Sequence, residues 1–319
     1  LGADGAFSPV RARMMKLDRF EYSQSYLEHG YKELHIPSAA DLNLDPARHD
    51  GWALEPNALH IWPRGGAMMI ALPNPDKTFT CTLFWPHTGP HGFDQLETSQ
   101  DVERFFREHY PDAVPLIPRL AQDFLRNPTA SLVTVRCWPW VHLCEGGDKA
   151  VAILGDAAHA IVPFYGQGMN SAFEDVRILA ESLERHNDDF ARALPEFQQL
   201  RKPNADAIAD MAIENFVEMR DKVGSPAFLW RKRIEHTLHD WFPAAMIPRY
   251  NLISFSTVPY VEARQQGERI NARIKLGVAT ILAATILALG VIGPVRFSVA
   301  ALTAAFAWFV LTRPSRPAR

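Results

Sequence analysis

The stretch of the chain with the clearest chemical potential is Val151–Asp175, which reads VAILGDAAHAIVPFYGQGMNSAFED. A short apolar run ends abruptly in Gly155-Asp156, so we expect a buried strand that places this pair at its carboxyl end. Ligands bind at the carboxyl ends of strands in α/β sheets. The Asp156 carboxylate could there accept hydrogen bonds from the hydroxyls of a ribose or ribityl chain.

The second half of this stretch predicts a helix start that faces the same ligand. Pro163-Phe164-Tyr165-Gly166 forms a loop, and Gly168-Met169-Asn170 begins a helix. Free backbone N–H groups and the helix dipole at such a start favour a group that becomes negative. Gly166 and Gly168 would let the backbone approach a flat ring closely.

Alternating apolar and polar residues predict the strands that must support this site. The first strand is expected at residues 24–36, and turn sequences separate three further candidates. Together they predict an antiparallel sheet, to which residues 131–138 add another strand. The three further candidates are Leu59–Pro63, Ala67–Pro73 and Thr78–Pro86.

Helix signals fall between and after these strands. Ser8-Pro9 fits an N-cap followed by proline at the first helical position, and Thr98 begins a capping-box sequence. A short helix is expected at Pro115–Phe124. From Gln167 to about residue 242 helical periodicity dominates, with breaks predicted at Pro195 and Pro203.

Composition excludes several classes of protein. The 319 residues are 47% hydrophobic with a net charge of -3. Because the sequence has no dense Lys/Arg block, nucleic acid is not expected as a partner. Cys81, Cys137 and Cys144 are odd in number and lack metal-binding spacing, which favours buried thiols in a reducing compartment. We expect no metal site, since Pro90 interrupts the HxxxH spacing of His87 and His91.

The end of the chain predicts a membrane anchor. Leu276–Gly293 holds 18 residues without a charge, and a helix of that length covers about 27 Å of a bilayer core of about 30 Å. A second uncharged run follows at Phe297–Thr312, and both outer flanks are basic. A hairpin through residues 276–312 with both ends in the cytoplasm fits this pattern; the alternative is a hairpin buried in the fold.

Two motifs together resemble the class A FAD monooxygenases. Gly-Asp-Ala-Ala-His at 155–159 and the Pro-x-x-Gly-Gln-Gly-x-Asn helix start at 163–170 look like the second flavin motif of that family. Gly2–Arg11 looks like its Asp-Gly motif, which precedes the substrate domain. The motifs occur in the expected order, about 150 residues apart.

Within that class, further segments are similar to the kynurenine 3-monooxygenase family. They cover the chain from Gly2 to about Glu268 and include Gly30–Leu34, Glu55–Arg64, Met68–Asn74, Phe79–Phe84 and Asn215–Arg220. The resemblance implies an enzyme that uses FAD and NADPH to hydroxylate kynurenine, a small aromatic substrate, in tryptophan catabolism. It also implies an α/β fold like that of p-hydroxybenzoate hydroxylase, with a mixed-sheet substrate domain, C-terminal helices and a transmembrane tail.

This resemblance divides the chain into five expected regions. These are the end of the FAD-binding domain (1–20), the substrate-domain sheet (21–148), the return to the FAD-binding domain (149–190), a helical region (191–272) and a membrane-anchoring hairpin (273–319). The family's opening strand–GxGxxG–helix unit has no counterpart here. We therefore expect an N-terminally truncated sequence whose 319 residues alone bind FAD poorly and are inactive.

The resemblance also assigns residues to each site. Cofactor binding is expected from Asp4, Gly5, Arg11, Gly155, Asp156, Pro163, Gly166, Gly168, Met169 and Asn170. Substrate binding is expected from Leu59, Met68, Ile70, Leu72, Phe84, Pro163, Phe164, Asn215, Met219 and Tyr250, although ordinary core packing would also explain the apolar members. We assign no catalytic acid or base and interpret His159 as structural.

Alternative functions stay open on the sequence alone. The same two motifs would suit another class A flavin hydroxylase or a flavin reductase, and a degenerate membrane-anchored remnant would have no activity. The hydrophobic tail predicts attachment to a membrane with the catalytic part facing the cytoplasm. That membrane would be the mitochondrial outer membrane in a eukaryote and the inner membrane in a bacterium.

Overall fold

The computed structural model describes residues 1–45, 47–89, 92–144, 149–243 and 246–292. The chain divides into two compact units, Leu1–Pro226 and Ala227–Arg319. The first unit contains the strands and the predicted flavin motifs, and the second contains helices.

The main sheet of the first unit has five strands in the order β2-β3-β4-β1-β5. All neighbouring strands in it are antiparallel, which confirms the predicted antiparallel sheet. Its long strand β1 pairs on both sides, with a bulge between Tyr26 and Gly30 on the β5 side. The strands are β1 (Glu21–Ile36), β2 (His60–Pro63), β3 (Met68–Pro73), β4 (Phe79–Pro86) and β5 (Ala130–Trp138).

A second, smaller sheet joins the beginning of the chain to its middle. Strands β6 (Val141–Leu143) and β7 (Ala150–Ala152) form an antiparallel pair. Directly after β7, Ile153 pairs with Gly2 in a parallel bridge. The sequence predicted a strand at residues 150–154 but gave no signal for β6.

Helices of the first unit cover both sheets. Thr98 caps α2 through the predicted capping box, and Ser8 caps α1 with proline next to it, as predicted. The remaining connections include short 3-10 turns. The helices are α1 (Pro9–Met14), α2 (Ser99–His109), α3 (Leu120–Arg126), α4 (Asp156–His159), α5 (Gly168–Arg185) and α6 (Phe190–Val217).

The prediction of helix breaks at Pro195 and Pro203 is wrong. Both prolines lie inside α6, which runs unbroken for 28 residues. The cost of each lost backbone hydrogen bond is offset by burial, because Phe197 and Ile208 on this helix are fully buried. The break falls earlier, where Asn187 and Asp188 have positive φ angles between α5 and α6.

The two faces of the main sheet bury different residues. One face carries Met69 and Ala71 of β3 and Phe79 of β4 into the larger core, where Val102 and Phe106 of α2 also lie. Because side chains alternate along a strand, Met68 and Phe84 point to the opposite face. That second face therefore remains available to elements from the other half of the unit.

The second unit contains α7 (Pro226–Trp241), α8 (Arg249–Ser254) and α9 (Tyr260–Ile292). The first predicted hydrophobic run continues α9 up to Ile292, whereas the second run, Phe297–Thr312, lies outside the described residues. Within the described part of the chain, no helix is sufficiently long and apolar to cross a membrane.

Truncating a core ring of the main sheet should destabilise the protein strongly. Phe79 is fully buried and meets Trp52 and His60 edge-on, with ring centroids 5.5 and 5.6 Å away. We expect Phe79→Ala to lower the free energy of unfolding by about 3–5 kcal/mol, because it leaves a cavity. Phe173→Ala, whose ring is 64% exposed, should change it by less than about 0.5 kcal/mol. Equal losses in urea titrations of the two variants would contradict this account of the core.

Candidate functional site

Two distant segments meet in parallel at the predicted ligand site. The Gly2 amide donates to the Ala152 carbonyl at 2.7 Å, and the Leu154 amide donates to the Gly2 carbonyl at 3.0 Å. Since the segments run in the same direction, the residues that follow them leave the pairing at the same edge. Asp4-Gly5 and Gly155-Asp156 are those residues.

The Asp4 carboxylate shapes the turn that begins α1. One oxygen accepts a hydrogen bond from the Ser8 hydroxyl at 2.6 Å, and the other accepts one from the Val10 amide at 3.1 Å. Partial desolvation acts to raise the pKa of Asp4, but these hydrogen bonds and the Arg11 charge lower it overall. Gly5 sits in this turn with a φ of +83°, which glycine tolerates best.

Arg11 connects the first segment to the second. Its side chain is 3% exposed; one terminal nitrogen donates to the Ala157 carbonyl at 2.7 Å and the other to the Ala6 carbonyl at 2.6 Å. The guanidinium also lies 5.0 Å from the Tyr22 ring centroid. Its buried Nε has no hydrogen-bond partner among the described residues. Arg11 is thus placed between the two motifs and not on the open surface.

Gly155 makes the sharp turn that exposes Asp156. Its φ of +59° and ψ of -145° suit glycine, and an added Cβ would lie 3.3 Å from the Cβ of Ala172. Asp156 begins α4 and is exposed, while Ala157 and Ala158 behind it are buried. Within the described residues the Asp156 carboxylate makes no hydrogen bond or ion pair. It is therefore free to accept hydrogen bonds from a ligand.

The start of α5 is open to solvent. Gly166 has a φ of +66°, and Gln167 precedes α5 without capping it through a side-chain hydrogen bond. Asn170 instead donates its side-chain amide to Gln167 at 3.2 Å. Gly166, Met169 and Asn170 are exposed. Because the first backbone N–H groups of a helix have no partner inside it, this start can receive an electron-rich group.

A cluster of three aromatic rings lies on the second face of the main sheet. We call Phe84, Phe164 and Phe216 the aromatic cluster. Phe164 lies 5.0 Å from Phe84 and stacks on Phe216 at 4.3 Å between ring centroids. Asn215 donates its side-chain amide to the Phe164 carbonyl at 2.7 Å and lies 3.4 Å from the Met219 sulfur. These contacts join the Pro163–Tyr165 turn to the end of α6.

The structure brings together only part of the predicted substrate-binding set. Met68 is fully buried and pairs in register with Phe84, but Ile70 is half-buried. Leu59 and Leu72 are 37% and 47% exposed, because the second sheet face is covered near Met68 and becomes open toward Leu72. Of the other predicted members, Pro163 is exposed beside Phe164, and Tyr250 belongs to the second unit.

His29 borders the aromatic cluster and shares Gly66 as a partner with Asp221, although the sequence did not single out either residue. The His29 ring meets Phe216 edge-on at 5.1 Å, and its Nε2 lies 2.6 Å from the Gly66 carbonyl. Burial lowers the pKa of His29. Asp221, in a π-helical segment at Glu218–Lys222, accepts a hydrogen bond from the Gly66 amide at 2.9 Å. Only a signal linking segments distant in sequence could have identified these contacts.

A buried ionic network lies directly behind Gly155. Asp175 accepts hydrogen bonds from the Gly155 amide at 2.8 Å, from His159 Nε2 at 2.6 Å and from Arg201 Nε at 2.7 Å. Burial acts to raise the pKa of Asp175, but its bonds to His159 and Arg201 lower it overall. The His159 ring is thus turned inward and buried. Sequence reasoning overlooked Asp175 and Arg201, since charged residues on helices are usually solvated.

Comparison with known proteins agrees with this arrangement. The FAD binding domain family matches residues 145–212, which include Gly155, Asp156 and the start of α5. Two solved structures are similar to the chain in fold. A 2-methyl-3-hydroxypyridine-5-carboxylic acid oxygenase has a TM-score of 0.51 at 21% identity, over 72% of this chain and 57% of that one. A variant of Klebsiella pneumoniae HpxO complexed with FAD has a TM-score of 0.52 at 20% identity, over 75% and 59%.

The matched domain and the similar structures therefore show that this chain has the fold of an FAD-dependent hydroxylase. Within that class it is similar to kynurenine 3-monooxygenase from Dictyostelium discoideum, with 51% identity over 84% of this chain and 58% of the relative. The kynurenine 3-monooxygenase of Sus scrofa is 46% identical over 82% of the chain and 53% of the relative. The predicted resemblance is confirmed, and the chain spans little more than half the length of these curated relatives.

The residues present fit the FAD that the matched domain implies. A ligand with hydroxyls would find the exposed carboxylate of Asp156, which no other described residue binds. A flat ring that gains negative charge would find the open start of α5, where Gly166 has no side chain and faces open space. The backbone on either side of Asp156 is fixed, because the Gly155 amide donates to Asp175 and Arg11 donates to the Ala157 carbonyl.

Removing the Arg11 bridge should destabilise the protein. Arg11→Met leaves the buried carbonyl of Ala157 and the partly buried carbonyl of Ala6 without their guanidinium donors, so we expect a loss of at least about 2 kcal/mol in the free energy of unfolding. Arg13→Met is the matched control, because Arg13 is exposed on the same helix and should change it by less than about 0.5 kcal/mol. Thermal or urea unfolding measures both. Equal stability of the two variants would show that the bridge is unimportant.

Proposed function

We propose that this chain forms part of an FAD- and NADPH-dependent enzyme that hydroxylates L-kynurenine to 3-hydroxykynurenine. The observation that carries the proposal is the parallel pairing of Gly2 with Ile153, which brings both flavin motifs to one edge. Similarity to kynurenine 3-monooxygenases over more than four-fifths of the chain supports the choice of substrate.

The two halves of the second flavin motif would hold different parts of the cofactor. The Asp156 carboxylate would accept hydrogen bonds from ribityl or ribose hydroxyls. Backbone N–H groups at Gly168–Asn170 would stabilise negative charge on the reduced ring through the helix dipole. When bound, FAD supplies the redox and oxygen chemistry, and the protein supplies orientation and exclusion of water.

The aromatic cluster and Met68 would form the apolar side of the substrate pocket. An aromatic substrate gains from burial against rings that pack edge-on or offset. Asn215 fixes the Phe164 backbone through its amide, so it would set the position of this wall and offer its amide oxygen to a polar group. Kynurenine carries a ring amine that activates the neighbouring carbon, so the reaction needs no strong protein base.

A direct assay tests the proposed activity. The complete reading frame, supplied with FAD, NADPH, oxygen and L-kynurenine, should yield a product heavier by one oxygen in mass spectrometry. Asn215→Ala should lower kcat/KM at least about tenfold, because it releases the Phe164 wall. Asn204→Ala, about three turns earlier on the same helix, removes a side-chain amide that donates to the Leu200 carbonyl at 2.9 Å, and it should leave kcat/KM within about twofold.

The outcomes of this assay separate the possible functions. NADPH consumption without hydroxylated kynurenine would retain the flavoprotein and reject the substrate. Purified protein without flavin would reject the proposed function and favour a remnant without activity. Loss of activity in Asn204→Ala to the same extent as in Asn215→Ala would contradict the role assigned to Asn215.

We also propose that the end of the chain attaches the protein to a membrane, with the catalytic part facing the cytoplasm. The uncharged run that begins at Leu276 and its basic flanks support this proposal. The membrane would be the mitochondrial outer membrane in a eukaryotic source and the inner membrane in a bacterial one.

Membrane attachment can be measured by carbonate extraction of cell membranes. The unsubstituted protein should stay in the pellet, and Ala284→Lys should shift it toward the soluble fraction. A lysine in the middle of a span costs about 2.5–3.5 kcal/mol. Gln265→Lys, upstream of the uncharged run, is the matched control and should stay in the pellet. Release of the unsubstituted protein would reject attachment.

A further inference from the structure

We propose that Asp175 is the residue that positions the flavin site, and that Arg201 and His159 hold its carboxylate for this task. The inference rests on the proposed function, since it concerns how that site is built. Asp175 touches neither the open surface nor the aromatic cluster, and it is fully buried. Its role must therefore act through the groups that it binds.

The Asp175 carboxylate joins the two elements that would contact FAD. Its Oδ2 accepts the Gly155 amide proton at 2.8 Å, so it fixes the turn from which Asp156 projects. The same residue lies on α5, seven positions after Gly168, which is about two helical turns. A shift of this carboxylate would thus move the Asp156 turn relative to the start of α5.

The Gly155 amide needs this acceptor. The left-handed φ of Gly155 turns the chain out of β7 before α4 begins, and its amide is buried at that turn. A buried backbone N–H without an acceptor is costly. A carboxylate is a strong acceptor for such a group, and Asp175 supplies it from a neighbouring helix.

The buried charge is balanced from two sides. Arg201 of α6 is 1% exposed and donates its Nε to Asp175 Oδ1 at 2.7 Å. It also contacts Glu174 at 2.8 Å and the Ser171 hydroxyl at 3.2 Å. His159 of α4 donates to Oδ2 at 2.6 Å. The carboxylate therefore has donors on both oxygens, which restricts its rotation.

The same two helices contain a natural control for this network. Arg185 on α5 contacts Glu196 on α6 at 2.7 Å, and this pair is partly exposed and lies apart from Gly155. Both ion pairs join α5 to α6, but only the one at Asp175 reaches the flavin site. If the ion pairs act only through helix packing, disrupting either one should affect the flavin site. If Asp175 positions the site, only disruption of its own network should do so.

Substitution of His159 tests the proposal without leaving a buried charge unpaired. Asp175→Asn would leave the Arg201 guanidinium with a weakened partner and is expected to impair folding. His159→Leu removes one hydrogen-bond donor to Asp175, while Arg201 and the Gly155 amide continue to donate to it. His159→Gln restores a donor but, like His159→Leu, removes the ring that lies 5.0 Å from Trp140. Recovery in His159→Gln would therefore be due to the hydrogen bond.

The experiment uses the complete reading frame and two readouts. The first is amide hydrogen exchange of the segment containing Gly155 in the protein without flavin. The second is the Kd for FAD from the change in flavin fluorescence. His159→Leu should speed exchange at Gly155 and weaken FAD binding about tenfold. His159→Gln should restore both to within about threefold, and Glu196→Gln should leave both unchanged.

Each result either supports or overturns the inference. Normal exchange and FAD affinity in His159→Leu would overturn it while leaving the proposed function intact. Equal changes in Glu196→Gln, or no recovery in His159→Gln, would also overturn it, since they would indicate general packing. If the unsubstituted protein binds no FAD, the proposed function fails and the inference fails with it.

Discussion

The fold depends on the contact between the beginning of the chain and Ile153, which directly follows β7. Two backbone hydrogen bonds make the pairing, and the buried guanidinium of Arg11 closes it by binding carbonyls from both segments. The partners are 146 positions apart at Arg11 and Ala157. Closing so long a loop costs conformational entropy, so the contact requires buried, directional bonds in addition to apolar packing. Without it the two flavin motifs would share no edge.

Behind this edge, a buried ionic network holds the backbone of the Gly155 turn in place. Arg201, Asp175 and His159 lie inside the protein, where isolated ions would be unfavourable, but each finds a partner there. Replacing such a network by apolar residues often preserves stability. Its presence here is better explained by the Gly155 amide that it serves than by stability alone. The turn at Gly155, whose φ is positive, directs Asp156 outward only if the orientation of the turn is fixed.

The two faces of the main sheet have different roles: one packs into the larger core, and the other carries residues of the candidate pocket. One face packs against α2 and forms the larger core around Phe79. The other face presents Phe84 to Phe164 and, through it, to Phe216 of α6. Because successive strand residues point in opposite directions, β3 contributes Met69 to the core and Met68 to the candidate pocket. A shift of one residue in register would exchange these roles.

The sequence by itself determined the elements whose signals are local. Alternation and turn sequences predicted the five strands of the antiparallel sheet, Ser8 and Thr98 predicted two helix caps, and the spacing of glycines around Asp156 predicted the candidate ligand site. Local signals failed at Pro195 and Pro203, where burial of α6 outweighs the intrinsic cost of proline. Only the tertiary structure decided that Arg11 faces inward, that Leu59 and Leu72 are exposed, and that His29 packs against the aromatic cluster. The physical reason is that pairing across long sequence separations depends on three-dimensional burial, which no local pattern encodes.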